Sequence, residues 1–160
     1  MISVRLIELD EAQLARLLEA AVADADPLEV MPPVDGPDGW NDRRRQAFLE
    51  FHRGRSIGTD HPVETTYVIE VDDQVIGAAR LESTGDDVEA GVWIGRSWRG
   101  RGAGRLVAAE LLAMARKTGA ARFIASTTAG NSAARKPLGG IGAGLTTDGD
   151  DVEAALELKA

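Results

Sequence analysis

The sequence predicts an α/β fold, of the α+β kind, in which an antiparallel run of strands leads into one crossover helix. Residues 66–95 alternate polar and apolar side chains, are rich in β-branched residues and are divided by turn signals, which predicts consecutive paired strands. Residues 103–118 then repeat apolar side chains at helical spacing. A doubly wound parallel sheet would need strands and helices to alternate throughout the chain, and residues 66–95 do not alternate in that way.

The first forty residues predict a strand, a helix and an irregular loop. Residues 2–9 alternate in part and have the pattern of a strand, and Asp10 stands where it can cap a helix over residues 11–25. Four prolines and two glycines over residues 27–39 predict an irregular loop. A second helix is expected after this loop, capped by Asn41 or Asp42.

Seven strands and about four helices are expected in the whole chain, in the order β-α-α-β-β-β-α-β-α-β-β. The second of these helices ends at His52, and Gly54 and Gly58 flank a loop after it. The last helix is short, because Pro137 interrupts a segment that Asn131 caps. The strands of the second part are expected over residues 66–71, 75–83, 88–95, 122–128, 143–147 and 152–158.

Length, charge and cysteine content bound the function. We expect residues 1–160 to form one domain with a sizeable core. A formal net charge of −8 argues against nucleic acids and anionic membrane surfaces as partners. The chain has no cysteine, and its two histidines and scattered carboxylates form no metal-ligand pattern. No apolar run of transmembrane length and no signal peptide is recognised, which predicts a cytoplasmic location.

A glycine-rich segment, Arg99-Gly100-Arg101-Gly102-Ala103-Gly104, joins a predicted strand to a predicted helix. Glycines let the backbone approach an anion closely, and the first N–H groups of a helix are free to donate to it. The dinucleotide fingerprint does not fit, because its third glycine position holds Arg105, and no Gly-Lys pair supports a P-loop. What remains is the pattern Arg-x-x-Gly-x-Gly. Without further context, a glycine-rich turn with solvated arginines is the alternative.

This pattern resembles the acetyl-CoA pyrophosphate loop of the GCN5-related N-acetyltransferase (GNAT) family. Residues 88–94, Val-Glu-Ala-Gly-Val-Trp-Ile, are similar to the fourth strand of that family, often written A-E-I-G-Y-W-V, at the usual distance before the loop. Asn131-x-x-Ala134 resembles the N-x-x-A start of the fourth helix of the family, and Gly142 lies where that motif ends. The resemblance implies a GNAT-like fold with a central, mostly antiparallel mixed sheet of about seven strands flanked by about four helices.

The resemblance also implies acetyl-CoA as co-substrate and a set of residues that bind it. The pyrophosphate would lie against the backbone amides of residues 101–105, at a helix N-terminus. Arg99 and Arg105 could add charge-assisted contacts; a solvated loop face is the alternative for the arginines of this segment, and a structural role is favoured for Arg99. A backbone N–H on the fourth strand would bind the acyl carbonyl, and pantetheine would pair with that strand where it separates from the fifth. The implied cofactor-binding residues are Val92, Trp93, Ile94, Arg99, Gly100, Arg101, Gly102, Ala103, Gly104, Arg105 and Asn131, the last of which is equally well explained as a helix cap.

Acetyl transfer to an amine needs a group that takes the amine proton. Glu89 is the candidate general base, because it lies on the fourth strand at a matching position, and an exposed strand glutamate is the alternative. His52 is expected to be favoured as a cation at the end of a helix, and Tyr67 is expected to pack in the core. The family often has a tyrosine in the fourth helix that protonates the leaving thiolate, whereas this chain has Pro137-Leu138 at that place.

The leading hypothesis is an acetyl-CoA-dependent N-acetyltransferase that acts on a primary amine of a small, cationic acceptor by direct attack in a ternary complex. Two alternatives stay open: a non-catalytic acyl-CoA-binding or sensor module, and a protein N-terminal or lysine acetyltransferase. The C-terminal strands are candidates for pairing across a homodimer. Acidic residues in the loops that precede the strands could give the acceptor site a negative mouth: Asp35, Asp38, Asp60 and Glu64.

Overall fold

Seven strands form one mixed sheet in the computed structural model, which describes residues 2–128, 144–148 and 151–158. The neighbour order is β1-β2-β3-β4-β5-β7-β6, and only β4 and β5 run parallel. The predicted mostly antiparallel sheet of about seven strands is thereby confirmed. The strands are β1 (Arg5–Glu8), β2 (Thr65–Val71), β3 (Gln74–Thr84), β4 (Asp87–Ile94), β5 (Arg122–Thr128), β6 (Gly144–Asp148) and β7 (Asp151–Glu157).

Helices cover both faces of this sheet. They are α1 (Glu11–Asp24), α2 (Pro27–Val30), α3 (Asp42–His52) and α4 (Ala103–Lys117), with a π-helical turn at Arg53–Ile57 and a 3₁₀ turn at Arg96–Trp98. The helix predicted to begin at Asn131 lies outside the described residues. None of the helices in the described ranges is long and apolar enough to cross a membrane.

Side-chain caps start the first two long helices where the sequence predicts them. The Asp10 carboxylate accepts from the N–H of Gln13 at 2.7 Å, and the Asn41 side chain accepts from the N–H of Arg44 at 2.9 Å. The predicted irregular loop is wrong at its beginning, because residues 27–30 form α2. Asp26 and Glu29 make a reciprocal capping box there, with a proline at the first helical position, and these contacts are enough to stabilise a single turn.

The core has two parts, one on each face of the sheet. On one face, α4 packs its buried side chains, among them Val107 and Leu111, against β3, β4 and β5. On the other face, α1, α2 and α3 pack against β2 and β3 around the fully buried Phe48. We call the second face the α1–α3 face. It is the side on which β4 presents Glu89, Gly91 and Trp93, because successive strand residues alternate between faces.

The loop between α2 and α3 is ordered around a buried guanidinium. Arg44 is 8% exposed and donates to four backbone carbonyls of residues 34–39. Trp40 adds a hydrogen bond from its indole N–H to the Ala25 carbonyl at 2.9 Å and an edge contact with Phe48. Because a buried cation needs every donor satisfied, the arginine holds this proline-rich loop in one conformation on the α1–α3 face.

Strands β3 and β4 approach each other closely at Gly77. A Cβ atom at this position would lie 2.1 Å from the carbonyl oxygen of Trp93 and 3.1 Å from the Cα of Ile94. Both neighbours are backbone atoms, which cannot move without shifting the strand. The end of β4 is therefore fixed against β3 by a glycine that has no room for a side chain.

We predict that Gly77→Ala lowers the free energy of unfolding by about 2–3 kcal/mol, because the methyl group forces β4 away from β3. Urea unfolding followed by circular dichroism measures this change. Gly54→Ala is the matched control, since a Cβ there meets no atom within 4 Å. A loss at Gly77→Ala no larger than at Gly54→Ala would contradict the close approach.

Candidate functional site

The parallel strands β4 and β5 separate halfway along their length. Their pairing runs from Asp87 opposite Arg122 to Ala90 opposite Ala125, whereas β4 continues to Ile94 and β5 to Thr128. Over the same stretch β4 remains paired with β3. Within the described residues, the last four residues of β4 therefore pair with β3 alone, and we call the space on their β5 side the cleft. This separation is the one that the sequence analysis expected for a pantetheine arm.

The hydrogen-bonding direction of each residue in this cleft follows from one contact. The N–H of Gly95 donates to the carbonyl of Ile76 at 2.8 Å, so the neighbouring pair Gly77 and Ile94 is not hydrogen-bonded. Because bonded and non-bonded pairs alternate along an antiparallel ladder, Val92 and Ile94 direct their N–H groups away from β3 and into the cleft. Of the three predicted donors, Trp93 directs its N–H towards β3 and contributes its side chain to the α1–α3 face.

Helix α4 begins at the end of the segment that follows β4. Gly102, its N-cap, has φ +90° and makes no side-chain cap, and Gly100 has φ +77°. Glycine adopts these left-handed conformations without strain. The Gly102 carbonyl accepts from the N–H of Leu106 at 3.3 Å, and within the described residues the N–H groups of Ala103–Arg105 have no acceptor. No acidic side chain lies in the first turn, so this helix N-terminus is suited to an anion.

The three arginines of this segment have different surroundings. Arg99 donates from Nε to the Ile94 carbonyl at 2.9 Å and from Nη2 to Glu29 at 2.6 Å. The Arg101 guanidinium lies over the ring of Trp98, 4.9 Å from its centroid. Arg105 is exposed and has no ion-pair partner among the described residues. Arg101 and Arg105 are therefore oriented towards solvent near the helix N-terminus, whereas both ends of the Arg99 guanidinium are bound within the protein.

Acidic residues of α1 and α2 hold the segment between β4 and α4. Asp24 accepts from the Ser97 N–H at 3.1 Å and from its hydroxyl at 2.6 Å. Glu29 accepts from Arg96 at 3.3 Å as well as from Arg99. Partial burial raises the pKa of Glu29, but its hydrogen bonds from Asp26 and Arg99 outweigh this effect and the pKa lies below its usual value. These contacts cannot be predicted from the sequence, because nothing local links residues about seventy positions apart.

Glu89 lies in a network of charges on the α1–α3 face. Arg80 on β3 contacts Glu89 at 3.1 Å, Glu82 at 3.4 Å and Glu64 at 3.9 Å. Arg55, from the π-helical turn, contacts Glu64 and lies 3.6 Å from Glu82. The five side chains form a cluster of three carboxylates and two guanidinium groups, with a formal charge of −1. Glu89 keeps 38% of its side chain exposed, so it is the accessible end of this network.

Arg80 reaches Glu89 because β4 has a glycine between them. A Cβ at Gly91 would lie 2.7 Å from Nε of Arg80, so the guanidinium crosses β4 where a side chain would otherwise stand. This crossing point is adjacent to Ala90, the last residue of β4 that pairs with β5. The charged network therefore borders the opening of the cleft. The sequence contains one signal for this network, because Arg80 is a charged residue within the apolar run Val75–Leu81.

Two expectations for titratable residues change with the structure. Glu64 was expected at an exposed mouth, but it is 8% exposed and bound by Arg55, whereas Asp35, Asp38 and Asp60 are exposed. The prediction that His52 is favoured as a cation at the end of α3 is wrong. The residue is 7% exposed and lies between aromatic neighbours, and its Nε2 has no hydrogen-bond partner among the described residues.

His52 is therefore neutral in the folded protein. Burial lowers its pKa to about 4; the Glu64 carboxylate raises the pKa in part and Arg55 lowers it further. Tyr67 packs at the edge of the α4 face, as predicted, and burial raises its pKa with a further contribution from Glu8. Tyr67 lies on β2, two strands away from β4, and is too far from the cleft to serve there as an acid.

The remaining site predictions fall outside the structure. Asn131 and the proline that replaces the tyrosine of the family lie outside the described residues. Within the described ranges, no group of three histidine or carboxylate side chains could hold a metal ion. The assembled site thus consists of the cleft beside β4, the N-terminus of α4 and the charged network that ends at Glu89.

The sequence of residues 25–136 matches the family model described as the Acetyltransferase (GNAT) family. The match spans more than half of the chain, and the protein belongs to the GNAT acetyltransferase family. No curated protein sequence matches the chain.

Solved structures share the fold over almost the whole chain. Mycobacterium smegmatis RimJ in complex with CoA-disulfide is 21% identical with a TM-score of 0.76, and the match covers 98% of this chain and 85% of that one. The ribosomal L7/L12 α-N-protein acetyltransferase RimL, solved with coenzyme A, is 18% identical with a TM-score of 0.67 and covers 98% of both chains. Campylobacter jejuni PseH, solved with acetyl coenzyme A, is 12% identical with a TM-score of 0.63 and covers 98% and 99%.

These likenesses establish the fold, at identities too low to carry over an acceptor. The coenzyme A and acetyl coenzyme A bound in the solved structures are consistent with acetyl-CoA as the co-substrate of this protein. The unpaired N–H groups of β4 and of the α4 N-terminus fit a ligand with an amide-containing arm and a pyrophosphate.

The burial of His52 predicts how stability depends on pH. In the unfolded chain the imidazole takes up a proton near pH 6.5, whereas in the folded protein it resists protonation until about pH 4. Stability is therefore lost as the pH falls from 6.5 towards 4, by about 2–3 kcal/mol between pH 7 and pH 4.5. His52→Phe removes this contribution, so the variant gains that amount relative to the wild type over the same interval, measured by urea unfolding.

His61→Phe is the control, since it removes the other histidine from an exposed loop, and we expect it to follow the wild-type curve. A constant stability difference between His52→Phe and wild type at pH 7 and pH 4.5 would show that His52 is protonated equally in the folded and unfolded states.

Proposed function

We propose that the protein transfers the acetyl group of acetyl-CoA to a primary amine of a small, cationic acceptor, by direct attack in a ternary complex. The observation that carries this proposal is the cleft beside β4, where two backbone N–H groups point away from β3 and have no pairing strand in the described part of the chain. A thioester and its pantetheine arm need donors in this arrangement.

The donor spans two parts of the site. Its pyrophosphate binds the free N–H groups of Ala103–Arg105 at the start of α4, and Arg101 and Arg105 add charge-assisted contacts. Its pantetheine arm pairs with the unpaired edge of β4, between Val92 and Ile94. The N–H groups there stabilise the carbonyl oxygen as negative charge develops on it.

The reaction needs one new bond and one broken bond. The nitrogen of the neutral amine attacks the thioester carbon, the C–N bond forms, and the C–S bond breaks to release the thiolate of CoA. The proton of the amine passes to Glu89, directly or through one water molecule, and then to solvent. Because a thiol is far more acidic than water, the thiolate leaves without a general acid and takes its proton from solvent.

Charge supports a cationic acceptor. The network that borders the cleft carries one net negative charge, and its accessible carboxylate is Glu89. The whole chain carries −8. Arg80 binds one oxygen of Glu89 at 3.1 Å, so the carboxylate is held beside the opening of the cleft while 38% of the side chain stays exposed. This arrangement favours a basic acceptor over an acidic one.

We predict that Glu89→Gln lowers kcat by about 100-fold and leaves the affinity for acetyl-CoA unchanged, because the amide keeps the shape of the side chain and cannot accept the proton. Steady-state kinetics on a panel of polyamine, aminoglycoside and amino-acid amine acceptors measures kcat, and calorimetry measures the affinity. Glu82→Gln is the matched control, since Glu82 contacts the same Arg80 from β3, and we expect less than about a threefold change in kcat.

Three outcomes separate the competing functions. Turnover that depends on Glu89 supports the enzyme as proposed. Tight binding of acetyl-CoA without turnover on small amines, proteins or peptides supports a non-catalytic acyl-CoA-binding module. Turnover on protein N-termini or lysines alone would support the proposed acetyl-CoA site and contradict the proposal of a small acceptor.

A further inference from the structure

We infer that Arg99, the first residue of the Arg-x-x-Gly-x-Gly motif, positions the donor-binding end of β4 and does not bind the pyrophosphate. Glu29, on α2, holds Arg99 in place for this role. The inference rests on the proposed function, since it concerns how the same cleft is kept ready for a thioester. It is carried by the hydrogen bonds that Arg99 makes within the protein.

Arg99 joins the last residue of β4 to a carboxylate on another element. Its Nε donates to the Ile94 carbonyl at 2.9 Å, and its Nη2 donates to Oε2 of Glu29 at 2.6 Å. We call this pair of contacts the Glu29–Arg99 bridge. Ile94 is one of the two residues whose N–H groups point into the cleft, and Arg99 binds its carbonyl, so the bridge fixes the peptide that follows Ile94 while β3 fixes the residues that precede it.

Glu29 is also bound within its own helix. Its Oε1 accepts from the N–H of Asp26 at 2.9 Å as the second half of the α2 capping box. One carboxylate oxygen is thus bound by the helix start and the other by Arg99. A charge-assisted contact of this kind gives the guanidinium one orientation, because both partners are restrained.

The geometry argues against a phosphate contact by Arg99. Its guanidinium is already bound at two of its three nitrogens, and turning towards the α4 N-terminus would break the contact with Ile94 or with Glu29. Arg105, which is exposed and lies in the first turn of α4, has no such restraint. The two arginines therefore have different roles. Arg105 binds the pyrophosphate through its charge, and Arg99 holds the end of β4 in position.

A shortened donor separates the two roles. S-acetyl-pantetheine keeps the thioester and the pantetheine arm but lacks the pyrophosphate and the nucleotide. Arg99→Met is expected to lower kcat/KM by roughly tenfold with acetyl-CoA and by the same factor with S-acetyl-pantetheine, because a displaced strand end misplaces the thioester of both. Arg99→Lys is expected to lose nearly as much, since one ammonium cannot bridge two acceptors in the fork geometry of a guanidinium.

The partner and two control variants complete the design. Glu29→Gln is expected to lower kcat/KM by about threefold with both donors, and adding it to Arg99→Met is expected to cause no further loss, as for residues that act together. Arg96→Met removes a cation that contacts the same Glu29 at 3.3 Å but not Ile94, and less than about a twofold change is expected. Arg105→Met is expected to lower kcat/KM with acetyl-CoA alone.

A second readout tests the bridge without any turnover. Hydrogen–deuterium exchange of the protein without ligand, followed by mass spectrometry, reports on peptides that contain residues 92–99. We expect Arg99→Met to speed exchange there by roughly tenfold and Arg96→Met to leave it near the wild-type rate. If wild type uses neither donor with any acceptor, the proposed function fails, and this exchange measurement still decides whether the bridge orders β4.

Two results would overturn the inference. A loss in Arg99→Met confined to acetyl-CoA, with S-acetyl-pantetheine unaffected and the charge-preserving Arg99→Lys active, would make Arg99 a phosphate ligand. Exchange over residues 92–99 that is the same in Arg99→Met and wild type would show that the bridge does not order the strand end.

Discussion

The candidate site depends on one constraint: among the residues that the structure describes, the last four of β4 pair with β3 alone. Strand β3 binds them through a regular ladder that closes tightly at Gly77, and β5 leaves after Ala90. A sheet edge inside a protein normally costs free energy, because its N–H and carbonyl groups lack partners. Here the edge has a use, since an acyl donor with amide groups can complete it as a further strand would.

Charges on the two sides of this edge hold the surrounding elements together. Near its N-terminal end, Arg80 crosses Gly91 to meet Glu89 on the α1–α3 face, and beyond its C-terminal end Asp24 and Glu29 bind the segment that leads to α4. The acidic residues of α1 and α2 thus contact the segment between β4 and α4, and the same helices pack on the face of the sheet that carries Glu89. Helices α1 and α2, in which no functional motif was recognised, are therefore linked by hydrogen bonds and ion pairs to the segment that carries the Arg-x-x-Gly-x-Gly motif.

The sequence predicted most clearly what local patterns encode. Asp10 and Asn41 cap helices where expected, and the glycine pattern at residues 100–104 marks the start of α4, because these features depend on residues within one turn. It missed α2, although Asp26-Pro27 with Glu29 is a readable capping box. It could not predict the burial of His52 or the contacts of Glu29 and Arg80, because these follow from long-range packing. Which β4 donors face the cleft also required the register with β3.

The measurement that most directly tests this account is the exchange of individual backbone amides at the end of β4, followed by NMR with and without acetyl-CoA. The account predicts an alternating pattern: Gly91 and Trp93, which bond to β3, exchange slowly in both states, whereas Val92 and Ile94 exchange quickly without the donor and slowly with it. The N–H groups of Ala103–Arg105 should gain protection in the same titration. Equal exchange at all four β4 positions, or no added protection at Val92 and Ile94 when acetyl-CoA binds, would contradict the claim that this strand edge receives the donor.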